Sequence, residues 1–269
     1  MSRISCLGYF CPLQMNLQPI IETRRLTKRF RHAKEDSVKG ISLSVRRHDI
    51  FGLLGPNGAG KTTTLSILCG FFRPTSGSAS IEGMDLLTRL PEIRKIVGIV
   101  PQDLALYPTL SAGENLDFYG HMYGLKGREL KLRIGYWLDK LGMAPLSRKK
   151  VSSLSGGMKR RLNLIAGILH EPRLLFLDEP TVGVDVQSRK EIIDSLRELN
   201  RQGTTIIYTS HHMEEAATFC NRVAIINRGK ILAEGSPGEL VEAYAGTNNL
   251  EDFFLRVTGE ADSLESSTD

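Results

Sequence analysis

Between the apolar run IFGLL and the helical run TTLSILCGFF stand Gly55, Pro56, Asn57, Gly58, Ala59, Gly60, Lys61 and Thr62, then Thr63: the pattern G-x-x-x-x-G-K-[ST] without a mismatch. The glycines let the backbone curl so that successive N–H groups point at phosphate oxygens. A lysine in this position reaches the β- and γ-phosphates, and the threonine hydroxyl can ligate magnesium. A second chemical element is LLFLDEP, residues 174 to 180, in which four apolar residues bury a strand and Asp178 and Glu179 stand at its C-terminal tip. Ligands of open α/β sheets sit at such tips. Asp178 there can hold the metal, and Glu179 can orient or deprotonate an attacking water.

Another stretch, Leu154, Ser155, Gly156, Gly157 and Met158, also suits phosphate. Leu162, Ile165, Ala166 and Leu169 after it recur at the spacing of a buried helix face, so the glycine pair opens a helix whose free N–H groups favour an anion. Lys159, Arg160 and Arg161 then put three cations where the helix dipole disfavours them. Either a nearby triphosphate offsets them or their stems carry the charges into solvent.

The elements that must position these residues follow from the pattern. Short apolar runs between residues 20 and 60 predict strands leading into the glycine loop, and SASIEG and VGIVPQ predict two more around a helix start at Pro91. From about 110 to 170 the signals are helical, beginning with the capping-box spacing Ser111 to Glu114. Strands then alternate with helices again through LLFLDEP, TTIIYTS and RVAIIN, the βαβ rhythm of a parallel sheet.

In order along the chain, Phe30 after LTKR, GPNGAGKT, Gln102 in VPQD, LSGGM, LLFLDEP, Asp185 in VGVD and His211 in YTSHHMEEA resemble the ATP-binding subunit of an ABC transporter, over residues 20 to 258. The resemblance implies an α/β phosphate-loop NTPase: a RecA-like parallel-sheet core, an antiparallel β subdomain, and a helical subdomain inserted at about 104–170. It implies ATP and Mg2+ as ligands, with Gly55 through Thr63 around the phosphates and Phe30 stacked on the adenine; a core phenylalanine is the alternative for Phe30. Glu179, His211 and Gln102 would be catalytic, and Thr62, Gln102 and Asp178 would hold the metal. Gln102 would also sense a membrane subunit, a plain surface glutamine being its alternative. Ser155, Gly156 and Gly157 would meet the ATP of an opposite subunit, which Asp185 would also contact. Met158 departs from the glutamine most frequent there, and VGV from the usual small residues before Asp185.

The opening IETRRLTKRF and the ending GKILAEGSPGEL resemble ATPases of ABC-2 type exporters of drugs, lipids or polysaccharides. The expectation is a subunit that dimerises with a second copy on ATP and powers export through a separate ABC-2 type permease. It would sit peripherally at the cytoplasmic face of the cell membrane, with no nucleic-acid partner. The alternative is a soluble ABC ATPase of translation, DNA repair or iron-sulfur assembly, but this chain has neither two modules nor a long coiled coil.

Composition agrees with a globular core: 269 residues, 41% hydrophobic, net charge +5, with every apolar run short of the length a membrane span needs. Cys6, Cys11, Cys69 and Cys220 form no CxxC pair, which argues against a zinc site and for a reducing compartment. His32, His48, His121 and His170 show no metal-ligand spacing. Residues 1–19 are expected to be a disordered or mis-annotated arm, with Met15 as the true start, and 259–269 an unstructured acidic tail.

Overall fold

The computed structural model describes residues 19–244 and 246–266, so residues 1–18 of the expected N-terminal arm, with the Met15 start, lie outside the described residues, while its last residue, Pro19, already begins a strand. Among the described residues, ten strands form two sheets. The smaller is antiparallel, in the order β2 (Val38–Arg46), β1 (Pro19–Lys28), β4 (Ser76–Ile81) and β5 (Met84–Asp85). The larger runs β10 (Lys230–Gly235), β9 (Arg222–Asn227), β3 (Ile50–Leu54), β8 (Thr205–Ser210), β7 (Leu174–Asp178) and β6 (Val97–Val100). Its pairs are parallel except β9 with β10 at the edge.

Strands β3, β7 and β8 are buried at every position. That explains why they read as continuous apolar runs: parallel strands covered on both faces have no wet side to alternate with. Alternate side chains of β7 enter separate cores. Leu174 and Phe176 join Phe51, Leu53, Ile67 and Leu68 toward the antiparallel sheet. Leu175 and Leu177 pack with Tyr208 and with Leu162, Ile165, Ile192 and Leu196 on the other face. Each such side chain contributes roughly 1.5–3 kcal/mol by leaving water. The tip of β7 is thereby clamped from both sides.

Between β6 and β7 the chain is helical: α3 (Ala112–Met122), α4 (Gly127–Lys140), short 3-10 turns at 144–146 and 151–153, and α5 (Gly156–Ile168). Ser111 and Glu114 make the reciprocal capping box at the start of α3. The remaining helices, in chain order, are a helix over Lys61–Leu68 after β3, one over Leu90–Ile96 before β6, and those over Val186–Arg201, Met213–Phe219, Pro237–Glu242 and Leu250–Ser266 after β7. With the three already labelled α3 to α5, these are α1, α2, α6, α7, α8 and α9.

The last of them corrects the expected tail. Helix α9 runs to Ser266, through the stretch expected to be unstructured from 259. Leu250 and Phe253 are buried in the core and Val257 packs against it, a helical spacing that anchors the first turns.

Candidate functional site

The glycine loop joins the end of β3 to the start of α1. A Cβ on Gly55 would lie 2.1 Å from the Ile226 carbonyl oxygen, and one on Gly60, at φ 106, would lie 2.5 Å from that of Ser37. Only glycine fits this curl.

Lys61 is buried and donates its ammonium to the carbonyls of Gly55 at 2.7 Å and Pro56 at 3.1 Å, with Glu179 Oε1 at 3.6 Å. Burial pulls its pKa below the ordinary lysine value, and the Glu179 carboxylate partly offsets that. Beside it, the Thr62 hydroxyl donates to Asp178 Oδ1 at 3.3 Å.

At the strand tip, Asp178 also accepts from the Thr209 hydroxyl at 2.7 Å. Glu179, 7% exposed, has a left-handed backbone at φ 46. Its N–H donates to Thr209 Oγ1 at 3.0 Å, and its Oε1 lies 3.2 Å from His211 Nδ1. A lysine, a carboxylate and an imidazole thus converge on one point. Asn57, Gly58, Lys61, Thr62, Gln102, Glu179 and His211 line a single cavity of about 570 Å³ over them, together with Gly60 and Thr63 of the loop.

Other expected residues stand apart from it. The Phe30 ring is 37% exposed and meets Phe72 edge to face at 5.3 Å between centroids, so it is a presented ring and not a core phenylalanine. Ser155 caps α5, its Oγ accepting from the Met158 N–H at 3.3 Å. A Cβ on Gly156 would meet nothing within 4 Å, whereas one on Gly157 would lie 2.5 Å from Ser188 Oγ and 2.8 Å from Asp185 Oδ2. Asp185 in turn caps α6 through the Ser188 N–H at 2.9 Å, and these bonds hold its carboxyl below the usual range. The cavity lining includes neither Ser155, Gly156, Gly157 nor Asp185. Within one chain the phosphate-suited groups fall into two sets.

The structure also places residues that the pattern left undecided. Met158 is half-buried against the core. Of the three cations after it, Arg160 is 5% exposed and bonded to main-chain carbonyls, which corrects the expectation that its stem carries the charge into solvent. Arg161 bonds the Leu141 carbonyl at 2.9 Å and pairs with Glu191. Ser37, which lines the cavity, and Thr209 carried no motif. The signal for Thr209 was a hydroxyl inside an otherwise apolar strand, directly across from Asp178 in the β7–β8 register.

The ABC transporter family model matches residues 38–182. A second model, described as an AAA domain, putative AbiEii toxin, Type IV TA system, matches residues 150–217, from the turn before α5 into α7, and so leaves out the glycine loop. The chain is 45% identical over 228 residues to the linearmycin resistance ATP-binding protein LnrL of Bacillus subtilis (strain 168), covering 85% of this chain and 72% of that one. It is 39% identical over 235 residues to the Nod factor export ATP-binding protein I of Cupriavidus pinatubonensis (strain JMP 134 / LMG 1197), 87% and 72% of the two chains. A solved ATP binding subunit of an ABC transporter superposes with a TM-score of 0.81 at 24% identity, over 89% of this chain and 99% of that one.

Proposed function

The chain belongs to the ABC transporter family as an ATP-binding and ATP-hydrolysing subunit that powers export through a separate membrane protein, and from that premise we propose which residues do the work. The observation that carries the proposal is the convergence of Lys61, Glu179 and His211 on one cavity walled by the glycine loop.

ATP enters with its phosphates in the loop from Gly55 to Thr63 and its adenine against Phe30. Thr62 and Gln102 line the cavity and Asp178 stands behind Thr62, its Oδ1 3.3 Å from the hydroxyl, so the three offer hard oxygen donors that fit magnesium. Bound there, the ion neutralises charge on the phosphate oxygens. Lys61 holds the γ-phosphate, His211 donates to it, and Glu179 takes the proton from the attacking water as that water's oxygen bonds to the γ-phosphorus, whose bond to the β,γ-bridging oxygen breaks to release ADP and phosphate. Arg160 and Thr209 hold the Glu179 peptide while this happens.

The second set, Ser155, Gly156, Gly157 and Asp185, serves the nucleotide of a second copy. Two chains facing head to tail would place the start of α5 of each over the other's glycine loop, giving two composite sites. Closure on ATP and reopening after hydrolysis would then move the membrane partner through the loop at Gln102.

No helix among the described residues is long and apolar enough to cross a membrane. One relative is a linearmycin resistance protein and another a Nod factor export protein, both ATP-binding. These names support an ABC-2 type permease as partner, with this chain held at the cytoplasmic face. The test is Glu179→Gln. It should keep ATP binding, lower turnover by about 10² to 10⁴, the worth of a positioned base, and trap a dimer on ATP visible by gel filtration. Wild-type turnover in that variant would refute the assignment.

A further inference from the structure

Helix α5 buries Gly157, Arg160 and Leu164 on one stripe, at spacings of three and four residues. A cation in such a stripe is costly unless its donors are satisfied. Those of Arg160 go to main-chain carbonyls: Nη1 donates to Pro101 at 3.0 Å and Gln102 at 2.7 Å, and Nη2 to Glu179 at 2.9 Å. The acceptors come from two segments, the loop after β6 and the tip of β7. Both border the cavity, yet the guanidinium itself does not.

The Glu179 peptide explains what the contact does. Non-glycine residues enter the left-handed region only where their surroundings hold them. Here the N–H of Glu179 is held by Thr209 and its carbonyl by Arg160, one on either side of the strained residue. The direction in which its carboxylate leaves the main chain is therefore set by two bonds made by the backbone.

We infer that Arg160 is a positioning residue for hydrolysis: its fork locks the Glu179 peptide and the Gln102 loop in one geometry and ties both to the second turn of α5. The inference rests on Glu179 being the general base. It also gives the helix that receives the second copy's nucleotide a direct hold on this chain's own base, because Arg160 lies one turn from Gly156. A planar guanidinium can serve carbonyls in two segments at once, whereas the compact ammonium of lysine cannot span them.

The experiment compares full-length wild type, Arg160→Lys and Arg160→Gln for ATPγS affinity, KM and kcat. Arg160 touches no part of the glycine loop, so affinity and KM should stay within about twofold while kcat falls by up to about 10²-fold, as for a catalytic group displaced by an ångström. Arg160→Lys keeps the charge and most of the volume and serves if Arg160→Gln does not fold. The same pair is then measured by single turnover in a Glu179→Gln background, where the arginine has no base left to position and its replacement should cost less than it does beside the intact base, only the part that acts through the Gln102 loop remaining. Wild-type kcat in Arg160→Lys overturns the inference. So does a loss that recurs in full without the Glu179 carboxylate, which would mark a general structural role. If Glu179→Gln alone keeps full turnover, the base assignment itself has failed, and this inference falls with it.

Discussion

Thr209 donates its hydroxyl proton to Asp178 Oδ1 across 2.7 Å, and Thr209 Oγ1 itself accepts the Glu179 N–H at 3.0 Å. One buried hydroxyl therefore holds both acidic residues of the strand tip. Thr209→Val keeps the shape and strands a buried N–H, which should cost about 1–3 kcal/mol of stability. Urea unfolding measures it; an unchanged midpoint would show that the hydroxyl holds nothing.

Phe30 presents its ring beside Phe72 outside the cavity that holds Lys61. Stacking on a base is worth about 1–3 kcal/mol, so Phe30→Ala should raise KM for ATP roughly tenfold and leave kcat near wild type. A fall in kcat at constant KM would place the ring elsewhere in the cycle.

The two sets of phosphate-suited groups make a prediction about mixing. Lys61→Ala should abolish ATP binding, and Gly156→Asp should block the second cradle without a clash, because a Cβ there meets nothing within 4 Å. Each variant alone should be inactive. An equal mixture should recover roughly a quarter of wild-type turnover, since half of the dimers regain one of two symmetric sites. No recovery at any ratio would refute sharing between copies.

His170 gives a pH signature. Its ring stacks on Tyr123 at 3.7 Å, Nε2 lies 3.0 Å from the Val97 carbonyl, and buried Nδ1 has no hydrogen-bond partner. Burial pushes its pKa from 6.5 down to about 4. The unfolded chain takes up the proton first as pH falls, so the stability tied to the neutral ring is full above about 6.5 and is lost between there and about 4. The loss amounts to up to about 3 kcal/mol. His170→Gln should flatten that part of the stability profile; an unaltered profile would locate the titration in another group.

Much of this was legible in the residues. The apolar runs of β3, β7 and β8, the capping box at Ser111 and the buried face of α5 follow local periodicity, and the structure has them where the pattern put them. Strand β10 went unread because its LAEG pairing with β9 depends on a partner, not on its own alternation. Arg160 was misread for a related reason. Its number in the helix places it on the buried stripe, but the carbonyls that satisfy it lie 19 to 59 residues away in the chain. The tail was misread because acidic composition speaks for solvent, while Leu250 and Phe253 had already anchored the helix.

The two carbonyls that Lys61 already holds, those of Gly55 and Pro56, make the loop its own competitor. A ligand gains the ammonium only by outbidding two neutral oxygens at 2.7 and 3.1 Å. Anionic phosphate oxygens can do this, because hydrogen bonds to charged acceptors are about twice as strong as those between neutral groups. Adenosine cannot. The site thus screens for phosphate charge before it reads the base.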